Sequence, residues 1–248
     1  TRWFWVFLVT LMAHPLLDAF TVYGTQLFWP LPMRPLMLSS LFIVDPLFLL
    51  PWLVAFALAW IARDRGWGRQ ALLAGVGLGV AYLGWSLLAK SIVDRAADRA
   101  LAAMGLDAAP RFSVPTPLNT VLWRVVAMTP NGYVEGFRSL AVDDGPMTFR
   151  GYPSNVQALR EATATVPKAA ELTWFNHGFE QARIERGVLV LSDLRMGNEP
   201  DYFFRFAVAE RDGDRWRAIA PRQIGMRRDA ARMWDATWRR MWHADRPL

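Results

Sequence analysis

Cysteine is absent from the 248 residues, which excludes disulfides, thiolate zinc sites, iron–sulfur ligation and cysteine nucleophiles together. Histidine is scarce as well. With only His14, His177 and His243 in the chain, a site built purely of imidazoles is not expected, and any metal has to draw on Asp, Glu or other oxygen ligands. Formal charge is missing over two long stretches: residues 71–89 carry none, and residues 36–62 carry only Asp45. Hydrophobic residues make up 53% of the chain, and both stretches reach the ~20 apolar residues that a bilayer-spanning helix needs. An ordinary soluble globule is therefore not expected, and composition excludes general disorder.

Three membrane segments are expected from these runs: residues 3–20, interrupted by His14-Pro15, then 36–62, then 71–93. The chain opens on Thr1 and runs straight into apolar sequence, which reads as a cut inside a longer helix. The loop at residues 63–69 carries three arginines and one aspartate, and short Arg-rich loops stay on the cytoplasmic side. That orientation predicts that everything after about Asp94 lies outside. Gly75-x-x-x-Gly79 in the third segment suits close helix approach. It lacks the spacing and preceding strand of a dinucleotide fingerprint.

After Asp94 the composition changes. Residues 94–106 read as a charged continuation of the helix, and 107–117 as a Pro-punctuated linker. Strand-like runs follow at 119–128, 133–142, 147–152, 183–191, 202–210 and 216–219, several of them alternating apolar and polar residues. Turn signals separate them at Pro130-Asn-Gly132, Asp143-Asp-Gly145 and Asp212-Gly213. Residues 154–163 and 167–175 read as helices, with Ser154 as N-cap and Pro167 as first helical residue. The expected architecture is a membrane α-helical region over 1–95, a linker over 96–117, and an α+β extramembrane domain over 118–248.

The tail from Arg215 onward holds nine arginines against three aspartates, so it carries the whole net charge of +6. Its last helix, expected over 226–244, sets Trp234, Trp238, Met241 and Trp242 beside basic residues. The tryptophans are expected to pack on the domain's own sheet. Contact with anionic lipid headgroups is the alternative. No nucleic-acid partner is expected of an outward-facing domain.

Residues 14–30 carry the chemistry. His14 and Asp18 stand four apart, which places both side chains on one helix face. Neutral imidazole and carboxylate there form half of a site for a divalent ion, zinc or manganese. Ionisable groups within membrane segments mark function by default, and that extends to Asp45. The structural readings of His14, Asp18 and Asp45 are helix capping, interhelical hydrogen bonding and interfacial snorkelling. Thr21, Tyr23 and Gln26 are candidate donors that orient the ligands, or else a polar helix exit at the interface.

The string from His14 to Pro30, with Ile43-Val-Asp45-Pro46-Leu47, closely resembles the membrane-bound metal-dependent hydrolases. These are the YdjM-like proteins also described as LexA-binding, inner-membrane-associated hydrolases. The resemblance extends through residues 119–124, 193–197 and 202–206. It implies a bacterial inner-membrane location, with the region of His14 and Asp18 as one arm of a metal site. It also implies an ester or phosphoester substrate, lipid-derived by analogy. Two upstream motifs of that family, Leu-Pro-Asp-x-Asp and His-Arg-Gly-x-Ser/Thr-His, do not occur here. On the mechanism it suggests, a metal-bound hydroxide attacks the ester, with Asp45 completing the shell or acting as general base. Two further readings stand beside it: a membrane-anchored binding or sensor protein with a recognition domain, and a scaffold within a larger complex.

Overall fold

The computed structural model describes residues 1–225 and 230–244. Helix α1 spans Arg2–Asp18, α2 Pro46–Ile61 and α3 Trp67–Ala103. The strands are β1 (Arg111–Pro115), β2 (Leu122–Thr129), β3 (Gly132–Ser139), β4 (Phe149–Pro153), β5 (Glu180–Glu185), β6 (Val188–Asp193), β7 (Gly197–Asn198), β8 (Asp201–Tyr202), β9 (Arg205–Asp212) and β10 (Arg215–Gln223). Helices α4 (Val156–Thr165) and α5 (Pro167–Phe175) connect β4 to β5, and α6 (Ala230–Trp242) follows β10.

Three membrane-spanning helices are not what the chain forms. Among the described residues, α3 alone is long and apolar enough to cross a membrane. Helix α2 has 16 residues, a rod of ~24 Å against a hydrocarbon core of ~30 Å. The 36–62 run is cut because its first part is not helical. Leu36 pairs with Thr25 in an isolated bridge, and the amides of Leu38 and Ser40 donate to the carbonyls of Ala19 and Phe20. Asp45 then caps a helix that opens on Pro46, whose fixed φ suits a first helical position. A multi-pass path is not supported, nor is the outward placement of the C-terminal domain that was inferred from it.

Helices α2 and α3 lie against each other at the glycine pair. A Cβ at Gly75 would collide with Ala55, and one at Gly79 with the Trp52 ring. Small residues there let the two backbones approach. The last third of α3 leaves this apolar environment and becomes part of the β domain. Ala89, Val93 and Ala97 pack on Trp123, Val125 and Met147. Polar staples hold the same junction. Lys90 donates to the Ser113 carbonyl at 3.1 Å, and Arg111 pairs with Asp94 at 3.0 Å and with Asp98 at 2.6 Å.

Strands β1-β2-β3-β4 form one antiparallel sheet and β10-β9-β6-β5 a second, with β7-β8 a small ribbon. Residues 122–127 of β2 are all buried, because the strand's two faces are both covered. Trp123 and Val125 face α3, while Val126 joins Phe112, Val114, Tyr133, Phe179, Leu194 and Tyr202 on the other face. Val22, from the segment between α1 and α2, belongs to that same cluster. Helices α4 and α5 cover the second sheet through Ala158, Ala162, Val166 and Ala169 against Leu189, Leu191, Val208 and Trp216.

Several sequence expectations differ in detail. The expected linker contains β1, paired along its length with β2, so no free connection separates the anchor from the domain. The run 183–191 is a hairpin, β5 and β6, turned at Arg186 and Gly187 with φ of 52° and 81°. Two positive φ values are what a two-residue hairpin turn of the favoured hand needs. Asn155 caps α4 in place of Ser154, accepting from the Ala158 amide. Helix α5 begins at Pro167 as expected. The expected start of the last helix at Met226 lies outside the described residues.

Candidate functional site

His14 and Asp18 do meet. Their Nε2 and Oδ2 atoms are 3.3 Å apart, with side chains 78% and 48% exposed. Pro15 sits inside α1 without ending it, so the one-turn spacing is kept. Asp45 is placed differently. It is 1% exposed, and its Oδ1 accepts from the amides of Leu47 and Phe48 at 2.9 and 3.2 Å. Its Oδ2 accepts from the Tyr82 hydroxyl at 2.8 Å. The carboxylate is thus held as the N-cap of α2 and tied to α3. Among the described residues, no group of three or more His, Asp or Glu side chains is arranged to hold a metal ion. A catalytic zinc generally takes three protein ligands. The two at hand do not by themselves fit one.

The three candidate orienting residues sit in the segment after α1. Thr21 Oγ1 donates to the Asp18 carbonyl at 2.8 Å and accepts from the Gly24 amide. Gln26 donates to the Met33 carbonyl at 3.2 Å. Both close local turns. Tyr23 instead reaches into the β domain, stacked on Phe175 with ring centroids 6.1 Å apart. The Arg195 guanidinium lies 4.9 Å from its ring centre. Burial raises the Tyr23 hydroxyl above its ordinary pKa, and among the described residues that hydroxyl has no hydrogen-bond partner.

Two buried ion pairs occupy the domain interior. Arg124 and Glu135, each 3% exposed in side chain, meet at 2.5 Å. Neighbouring β2 and β3 bring them there, where Arg124 stands across from Phe137 and Val126 from Glu135. Arg124 also donates to the Leu194 carbonyl and to the Tyr202 hydroxyl. The second pair is Arg195 with Asp193, on the loop after β6. Nε and Nη2 of the arginine both donate to the carboxylate, at 2.7–3.2 Å. Phe175 lies 4.6 Å from the guanidinium carbon. Arg195 is wholly buried, and its Nη1 has no partner among the described residues. Beside this pair, burial lifts the Glu180 carboxyl from 4.5 to about 7, although Thr173 and Asn176 donate to it.

These arginines border an apolar cavity of about 210 Å³. Its wall takes Val22 and Phe42 from the segment between α1 and α2, residues 114–117 from β1 onward, and Phe137 from β3. Residues 195–198 and Phe203 add the loop side, and Met233, Trp234 and Thr237 of α6 close it. Helix α6 is fixed there by Arg240. It forms an ion pair with Asp143 at 2.5 Å and donates to the Phe137 carbonyl. Ser139 also donates to the Met241 carbonyl at 2.7 Å. Met241 packs inward, at 3% exposed. Trp234, which also reaches the cavity, stacks on Trp238, and Trp238 meets Trp242 edge-on, each ring roughly half exposed.

The cavity itself is not legible in the sequence. One signal was available. Arg124 interrupts the apolar run Leu122-Trp-Arg-Val-Val-Ala127, and a charge inside a strand buried on both faces needs a dedicated environment.

No curated protein and no solved structure matches the chain. Residues 1–93, from α1 through the middle of α3, match the model of the YdjM inner membrane protein family, and with the apolar α3 this supports a membrane location for the chain.

Proposed function

We propose that this chain is a membrane-anchored binding protein, holding a small ligand in the cavity between its membrane-proximal segment and its β domain. The observation that carries the reading is the composition of the wall. Residues from the family-matched part, Val22 and Phe42, line the same space as Arg124, Arg195 and Trp234. A recognition domain tethered by a flexible linker would not share its cavity with its anchor. A mostly apolar hollow with a few convergent polar groups is the usual form of a small-molecule site. The volume exceeds the ~150 Å³ void that admits a benzene ring.

The test is photolabelling of the full chain in phospholipid nanodiscs with an uncharged, diazirine-bearing alkyl probe, followed by peptide mapping. Label on residues 114–117, 195–203 and 233–237 supports the reading. Label confined to α1, α2 and the apolar part of α3 contradicts it.

A second reading, a metal-dependent hydrolase, is supported by the approach of His14 to Asp18. The pair provides two ligands for zinc or manganese, and the remaining ligands have to come from elsewhere. Metal content of the purified chain, wild type beside His14→Ala and Asp18→Ala, decides it. Stoichiometric metal lost in both variants supports a site. Metal unaffected by either substitution removes these residues from it.

A further inference from the structure

We propose that the tryptophan stripe of α6 lies on the bilayer that holds α3, among anionic phospholipid headgroups, so that the β domain is docked on the membrane by a second element besides its anchor. This docking does not require that the cavity hold a ligand.

Both ends of α6 rest on the rim of the domain where the apolar helices meet it. At the first end, Met233, Trp234 and Thr237 share the cavity wall with Phe42, three residues before the Asp45 cap of α2. At the last end, Ser139 donates to the Met241 carbonyl, and the amide of the next residue, Leu140, donates to the Val121 carbonyl. Beside Val121, Thr120 accepts the Trp85 indole N–H at 3.1 Å and lies 3.1 Å from the Tyr82 hydroxyl. Those two side chains belong to α3, and Tyr82 also donates to Asp45. The axis of α6 therefore follows the level at which α2 begins and α3 enters the domain.

The faces of the helix are divided. Arg240 and Met241 are buried against the domain, whereas Trp234, Trp238 and Trp242 stay 42%, 50% and 44% exposed. Their four-residue spacing at 1.5 Å per residue makes a stripe ~12 Å long. Tryptophan is enriched at the boundary between hydrocarbon and water. Tyr82 and Trp85 stand at that level on α3, and the stripe continues the aromatic belt that they begin. Charge agrees with this. From Arg215 onward the chain holds nine arginines against three aspartates. Arg239, one residue after Trp238, is 60% exposed, although Asp235 pairs with it at 2.7 Å. Arg222 is exposed near the end of β10, where Gln223 donates to the carbonyl of Phe203, itself in the cavity wall. A basic helix bearing tryptophans binds an anionic headgroup layer. A second copy of this chain carries the same net charge of +6 and is the poorer electrostatic match.

The chain has no cysteine, so one nitroxide can be attached to the full chain through Trp238→Cys, or independently through Trp242→Cys. Asp212→Cys is the reference. Asp212 is 68% exposed at the start of β10, ~25 Å of strand from Gln223. Collision of each label with oxygen, which concentrates in the bilayer, is compared with collision with a water-soluble nickel chelate. In phosphatidylglycerol nanodiscs the oxygen-to-chelate ratio at 238 and 242 is expected to stand well above that at 212. In phosphatidylcholine nanodiscs it is expected to fall about fivefold, the effect of one basic residue near an anionic surface. Ratios at 238 and 242 equal to that at 212 place the stripe in water and overturn the proposal. Labels shielded from both reagents show the stripe covered by protein, a second copy included, and overturn it as well. An equal ratio in the two lipids overturns the selection for anionic headgroups. Two labelled positions are used so that a variant that fails to fold leaves the other to decide.

Discussion

Tyr23 and Arg195, separated by most of the chain, lie face to face, the guanidinium 4.9 Å from the ring centre. The contact joins the segment after α1 to the loop after β6. It ties the family-matched part of the protein to the wall of the cavity. Anchor and domain thus share an interior, and their stabilities are coupled through it.

Substitutions at Tyr23 separate its ring from its hydroxyl. Tyr23→Ala removes the stacking and cation–π contacts and is expected to destabilise the fold by about 2 kcal/mol. Tyr23→Phe deletes a buried hydroxyl that has no partner among the described residues, so it is expected to be neutral or stabilising by up to about 1 kcal/mol. Thermal unfolding of both variants in one detergent checks the pair. A clear loss of stability in the phenylalanine variant contradicts the account.

Glu135→Gln leaves the Arg124 charge buried without its counter-ion, an arrangement that costs about 3–5 kcal/mol. Replacing both residues, with Arg124→Met added, is expected to recover most of that loss, because two apolar groups need no compensation. Denaturant midpoints of the single and double variants measure the difference. Equal midpoints sink the claim that the pair acts as a unit.

Glu180 sets a pH dependence. Its folded carboxyl titrates at about 7, against 4.5 ordinarily, so between those values the folded state binds more protons than the unfolded one. Stability is therefore full below about pH 4.5 and falls as pH rises through 7. The rise corresponds to on the order of 3 kcal/mol. Glu180→Gln is expected to flatten this slope and to be the more stable protein at pH 8. Unfolding midpoints at pH 5 and pH 8 for both forms provide the check, and parallel slopes contradict it.

Asp45→Ala is expected to cost about 1 kcal/mol through loss of the α2 cap and to release the Tyr82 hydroxyl. Asp45→Asn keeps an acceptor for the two amides and is expected to lose less. Melting temperatures rank the two. An equal loss in the two variants means that the charge, and not the cap, is what matters.

Much of the architecture is legible locally. Pro167 at a helix start, the turns at Gly132 and Gly213, and the Gly75–Gly79 approach all follow from short-range stereochemistry. The membrane count fails because apolar content does not distinguish a helix from an irregular apolar loop. Residues 36–44 are as hydrophobic as a membrane segment, yet their amides pair with the end of α1. The His14–Asp18 pair is visible because it needs only helix spacing. The cavity is not, since Val22, Arg124, Arg195 and Trp234 converge from four distant parts of the chain, and no local rule predicts that meeting. Asp45 read as an intramembrane charge is the residue that caps α2, and Asp-Pro before an apolar helix is itself a capping signal.

The most direct test of the cavity as a binding site is native mass spectrometry of the full chain released from detergent after incubation with octanol. Wild type is compared with Thr237→Trp, which places an indole from α6 into the cavity. One retained equivalent in the wild type, lost in the variant, is the predicted result. No adduct in the wild type, or the same adduct in both proteins, contradicts it.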